Sequence, residues 1–150
     1  MKYSKEIIIN LPRNEVINKM KNPADFKHWQ DGFISYKHIT GQPGSEGARS
    51  KLSYKMGKRE IEMTETILKN NLPDELHTTY DAKGVFNIQK NYFEEVDENT
   101  TKWISYNEFQ FKGFMKLIGF FMPGAFEKQS LKYMLDFKAF AEEGKSNRDN

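Results

Sequence analysis

The chain has 150 residues and a mass of 17.6 kDa, the size of one domain able to bury a single continuous core. Its 23 Lys and Arg against 21 Asp and Glu leave a net charge of +2, which excludes a strongly basic nucleic-acid surface and an acidic disordered tail as dominant features. Cysteine is absent, which excludes a disulfide framework, a thiolate nucleophile and a Cys-based zinc site.

Lys5 to Asn10 is rich in β-branched residues and reads as a strand. Asn10-Leu11-Pro12 stops it and opens a helix, with Val16, Ile17 and Met20 at helical spacing. Asn22-Pro23-Ala24-Asp25 starts a second short helix carrying Phe26 and Trp29. After Gly32 the period changes to two. Strands are expected over 33–40, 48–56, 60–68, about 76–80, 85–96 and 101–111, divided by turn-forming clusters such as Gly41-Gln42-Pro43-Gly44, Gly57-Lys58 and Asp81-Ala82-Lys83-Gly84. Gly113 opens a helical region to about Glu143. Its stripe of Phe126, Ser130, Tyr133, Phe137 and Phe140 is spaced to lie on a sheet. Gly144 to Asn150 is polar and reads as a frayed tail. The Ile7 to Ile9 run is too short for a signal peptide, and no apolar run approaches the ~20 residues of a membrane span. A cytoplasmic location is the expectation.

The order is strand, two short helices, six strands in hairpin succession and one long helix, in a single α+β domain over 1–150. Hairpins make the sheet antiparallel, and a twisted seven-stranded sheet wrapped round one helix leaves a concave interior. On four stretches the chain resembles the START/Bet v 1-like helix-grip superfamily, which includes polyketide cyclases/dehydrases and lipid-transfer-type domains. They are Ile7-x-Ile9-x-Leu11-Pro12-x-x-x-Val16, Phe26-x-x-Trp29, Gly44-x-x-Gly47, and Phe93 followed by Thr101-x-Trp103. The resemblance covers nearly the whole chain. It implies a hydrophobic-ligand cavity between sheet and helix. It does not decide between enzymes, carriers and interaction modules.

No Gly-rich phosphate loop or G-x-S-x-G elbow occurs. His28, His38 and His77 are scattered, with no i,i+4 pair and no adjacent acidic partner, so neither a metal nor a cofactor is expected. Arg49, Lys51 and Lys55 share a strand face opposite Leu52 and Tyr54, which reads as a solvated outer face, with a site for an anionic partner as the alternative. Glu65 is the sharpest single residue. It alternates with Ile61, Met63 and Ile67, so it enters an apolar chamber if that face is inward. Desolvation would then fit it for proton transfer or for holding a polar ligand group; pairing with a neighbouring Lys or Tyr is the structural alternative. Asn87, Gln89 and Asn91 share one parity with Phe93, and Asn107 shares one with Trp103, Ser105 and Phe109. These amides either meet water or a ligand or bond one another across the strands. Trp29, Tyr54, Met63, Tyr80, Phe126, Tyr133 and Phe137 complete a candidate lining for a ring-bearing or amphipathic molecule.

Phe111 to Phe126 is the most distinctive segment. Its apolar residues spread round any helix axis, and Pro123-Gly124 breaks or bends the chain. It is expected to close the chamber entrance as a gate. Core packing, a homodimer contact, another partner surface and a membrane surface are the alternatives. Three functions stand open: a binding or carrier protein for a small hydrophobic or aromatic ligand, a cyclase- or dehydratase-like enzyme using Glu65 as acid/base, and a protein-interaction module through 114–126.

Overall fold

A computed structural model describes residues 1–149. β1 (Lys2–Ile9) leads into α1 (Arg13–Met20), a 3-10 turn at Pro23–Asp25 and α2 (Phe26–Trp29). Six strands follow: β2 (Phe33–Thr40), β3 (Arg49–Met56), β4 (Arg59–Asn71), β5 (Glu75–Ala82), β6 (Val85–Asp97) and β7 (Thr100–Phe111). The chain then forms α3 (Met115–Phe121) and α4 (Pro123–Glu143). The seven strands make one antiparallel sheet in the order β1-β7-β6-β5-β4-β3-β2. From β2 onward each strand pairs with its successor. β1 pairs instead with β7, because α1 and α2 carry the chain from one edge of the sheet to the other.

β1 begins at Lys2, ahead of the expected Lys5. Its inward positions include Tyr3 and Lys5, which mask the apolar alternation. The Tyr3 hydroxyl donates to the Phe126 carbonyl at 3.0 Å and lies 2.6 Å from Ser130 Oγ. Lys5 Nζ pairs with Glu127 at 2.7 Å. Both contacts reach α4, so tertiary partners extend the strand beyond its local propensity.

Pro123 occupies the first turn of α4, where its missing N–H breaks no helical bond. Gly144 ends the helix at φ 69°, with its amide on the Phe140 carbonyl at 2.9 Å, a conformation suited to glycine. Of the expected stripe, Phe137 alone is fully buried; Phe126, Ser130, Tyr133 and Phe140 keep part of their surface. Met134 and Ala141 join Phe137 in the core. The C-terminal half of the helix therefore packs solidly, against Val16, Trp29 and Trp103, whereas its N-terminal half faces looser surroundings.

The tail is not frayed through residue 148, contrary to the expectation from its polarity. Arg148 donates to the carbonyls of Lys27 and Phe33 at 3.0 and 2.7 Å, and His28 Nδ1 lies 3.1 Å from Ser146 Oγ. The guanidinium fork satisfies a carbonyl of α2 and one at the start of β2, which holds this segment against them. Asn150 lies outside the described residues.

Candidate functional site

Register decides what faces the helix. β4 pairs Glu65 with Ser50 on one side and Tyr80 on the other. Tyr80 pairs with Asn87, and Asn87 with Phe109. Ser50, Glu65, Tyr80, Asn87 and Phe109 thus form one transverse row across five strands. A bulge would turn Glu65 outward, since one extra residue swaps the faces. The irregularity in β4 lies between Ile67 and Lys69, beyond Glu65, so the inward parity survives.

Glu65 lies deep in the fold, and burial pushes its carboxyl above the usual carboxylate range. The Tyr80 hydroxyl beside it works in the opposite direction. No salt bridge reaches Glu65 among the described residues. Burial likewise pushes Tyr80 and Tyr54 well above the ordinary phenol value, with the Glu65 charge adding to both. Tyr133 is raised mainly by burial. The group therefore consists of oxygens that burial biases toward their protonated forms, in an aromatic setting. Met63, Glu65, Tyr80, Phe109, Phe126 and Tyr133 nevertheless each retain surface that solvent can reach. Tyr54 is more committed: its hydroxyl donates to Gln30 Oε1 at 2.6 Å, a partner that no sequence pattern marked.

The amide stripe bonds largely to itself. Asn87 and Gln89 both donate to Asn107 Oδ1, at 3.2 and 3.3 Å. Asn107 donates to Ser105 Oγ at 3.1 Å, and Asn91 donates to Gln89 Oε1 at 3.0 Å. Trp103 Nε1 donates to Asn91 Oδ1 at 2.8 Å in a fully buried contact. Of the two readings of these amides, cross-strand bonding describes the geometry. Asn91→Ala would strand the indole N–H, and the expected cost is about 1–3 kcal/mol. A urea unfolding series would measure it; a loss under about 0.5 kcal/mol would mean the ladder is dispensable.

Trp29, Trp103 and Phe137 belong to the packed end rather than the looser one. The Phe137 ring lies 5.0 Å from Trp29 and 5.6 Å from Trp103, both edge-on, and has no exposed surface. Trp29 Nε1 is buried there without a protein partner. At the other end Phe126 packs on Phe109 and Phe111, at 5.0 and 5.1 Å. One histidine departs from expectation: His77 Nε2 lies 3.2 Å from Glu75 Oε2, because residues two apart on a strand share a face. No trio of metal-ligating side chains comes together among the described residues. Arg49 and Lys55 are exposed and Lys51 half-buried, as an outer face requires.

A separate concavity of about 700 Å³ lies between β1, β7 and β6, lined by Lys2, Lys90, Tyr92, Ile104, Tyr106 and Glu108. It is broad and open, and its Lys2–Glu108 ion pair is solvated, so it is a surface furrow without the chemistry of the Glu65 row.

Sheet order, crossover helices and a long helix packed at one end describe a known architecture, and solved structures match it closely. A Streptomyces aromatase/cyclase, Zhui, superposes with a TM-score of 0.80 at 9% identity, covering 95% of this chain and 93% of that one. The chain has the START/Bet v 1-like helix-grip fold. Other helix-grip structures agree. Ara h 8.0201 gives a TM-score of 0.71 at 13% identity over 94% of this chain and 97% of its own. Norcoclaurine synthase from Thalictrum flavum gives 0.70 at 12% identity over 95% and 94%. No family model matches the sequence, and no curated protein matches it. The likeness therefore rests on shape, and the four short stretches resembling the helix-grip pattern sit on β1–α1, α2, the loop before β3, and the β6–β7 hairpin. No helix is long and apolar enough to cross a membrane among the described residues.

Proposed function

We propose that this protein binds a small hydrophobic or aromatic ligand between its sheet and α4. The observation that carries the reading is the Glu65–Tyr80 pair. Two buried oxygen groups, both biased toward their protonated forms and without a cation, stand beside partly open aromatic side chains. Such a pair can hold one polar atom of an otherwise apolar molecule, which is how apolar pockets fix ligand orientation. The lack of cysteine fits a reducing, cytoplasmic setting.

A cyclase- or dehydratase-like activity is the second reading, favoured by the raised Glu65 carboxyl, which makes a better acid at neutral pH than an ordinary glutamate. Native mass spectrometry of the purified protein tests both. The binding reading expects a retained apolar compound that denaturation releases. Precursor and product together in the wild type, with precursor alone in Glu65→Gln, would mark the enzyme. A protein free of any ligand that also fails to bind 2-naphthol would remove both readings.

A further inference from the structure

α3 does not bury its apolar side chains over the interior as a gate would; it rests there on one narrow face. Only Met115, Ile118 and Gly119 face the body of the protein. Gly119 lets the helix backbone rest on the Phe111 ring, and Met115 lies against Gly84 in the β5–β6 hairpin. Opposite this base, Phe114 is 69% exposed, Phe120 78% and Phe121 73%, with Leu117 and Met122 also more than half exposed. Every strongly exposed phenylalanine of the chain therefore lies on this one short projection, far above the scattered apolar exposure normal for a surface.

The charges round it have one sign. From Phe109 to Phe126 the chain carries Lys112 and Lys116 and no acid. The acids that bound this stretch are engaged elsewhere: Glu108 pairs with Lys2 and Glu127 with Lys5. Lys83, in the hairpin beneath α3, and Lys128, on the first turns of α4, are exposed and form no ion pair among the described residues, as is also true of Lys112 and Lys116. The segment is bounded by Gly113 at φ 60° and by the non-helical Met122, so it is a separate unit with breaks on both sides.

We propose that α3 docks the protein on an anionic lipid surface. A projecting cluster of phenylalanines suits a deformable apolar layer, and a collar of unpaired lysines suits the anionic headgroups above it. A protein partner would need a matching hollow and matching acids; a bilayer supplies both without one. Docking by this face also turns the Phe109, Phe111 and Phe126 end of the interior toward the lipid. The proposal stands whether or not the interior holds a ligand.

Vesicle co-sedimentation of the full chain tests it. Vesicles of phosphatidylcholine with about 30% phosphatidylserine should bind the protein, and pure phosphatidylcholine should bind it much less, with added salt weakening the difference. Phe120→Ser with Phe121→Ser should weaken binding by about tenfold or more. Both side chains are exposed, so the thermal midpoint should stay put. Lys112→Gln and Lys116→Gln should each cost about fivefold on anionic vesicles. Absence of binding at low salt would overturn the proposal, as would equal binding to both vesicle types. A dimer in sedimentation, dissolved by the double phenylalanine variant without vesicle binding, would overturn it in favour of a second copy of the chain.

Discussion

Phe137→Ala is expected to lower the thermal midpoint by about 6–20 °C. The side chain has no exposed surface and fills the space between two indoles, so truncation leaves a cavity that rigid neighbours cannot close. Such changes cost about 3–5 kcal/mol. In a chain of this length each kcal/mol moves the midpoint by about 2–4 °C. Phe121→Ala is the control. That ring is 73% exposed, and its loss should stay within about 0.5 kcal/mol of wild type. Differential scanning calorimetry of the pair would read both. Equal shifts would mean that the packed end of α4 is not where stability resides.

Glu65→Gln is expected to flatten the dependence of stability on pH. Burial raises the folded-state pKa of this carboxyl above the usual glutamate value of 4.5. Between that value and the raised one, the folded protein keeps a proton that the unfolded chain has released. Wild-type stability is therefore unpenalised below the ordinary value and falls as pH rises through the folded one. The amide never ionises, so the variant gains on the wild type across that window. Urea midpoints at a series of pH values would show the gap opening. Binding of 2-naphthol should follow the same course, weakening with pH in the wild type as a charge forms beside the ligand and staying level in the variant. Parallel profiles for the two proteins would place Glu65 in water at the chamber mouth and deprive both functional readings of their main residue.

Local pattern carried most of the architecture. The change of period after Gly32, the turn clusters and Pro123 locate the strands and the last helix to within a few residues, because each is a backbone preference written at one site. The inward parity of Glu65 was legible for the same reason: Ile61, Met63 and Ile67 fix the face, and no bulge intervenes. What failed to show needed partners distant in sequence. Lys5 looks like a surface lysine until Glu127 of α4 meets it. Arg148 looks like part of a loose tail until the carbonyls of Lys27 and Phe33 receive it. The amides could not be assigned from parity alone, because whether Asn107 serves Asn87 and Gln89 depends on how β6 and β7 pair. The outward turn of α3 was hidden because burial is a property of the whole fold, and a phenylalanine-rich sequence reads as core wherever it stands.

Amide chemical shifts during titration with 2-naphthol would locate a ligand, since each backbone N–H reports its own surroundings. The largest changes are expected on Met63, Glu65, Tyr80, Phe109 and Tyr133, which span three strands of the sheet and α4. Changes confined to Tyr92, Tyr106 and Lys90 in the outer furrow, or to α3, would contradict that expectation and leave the Glu65 row a structural feature of the sheet.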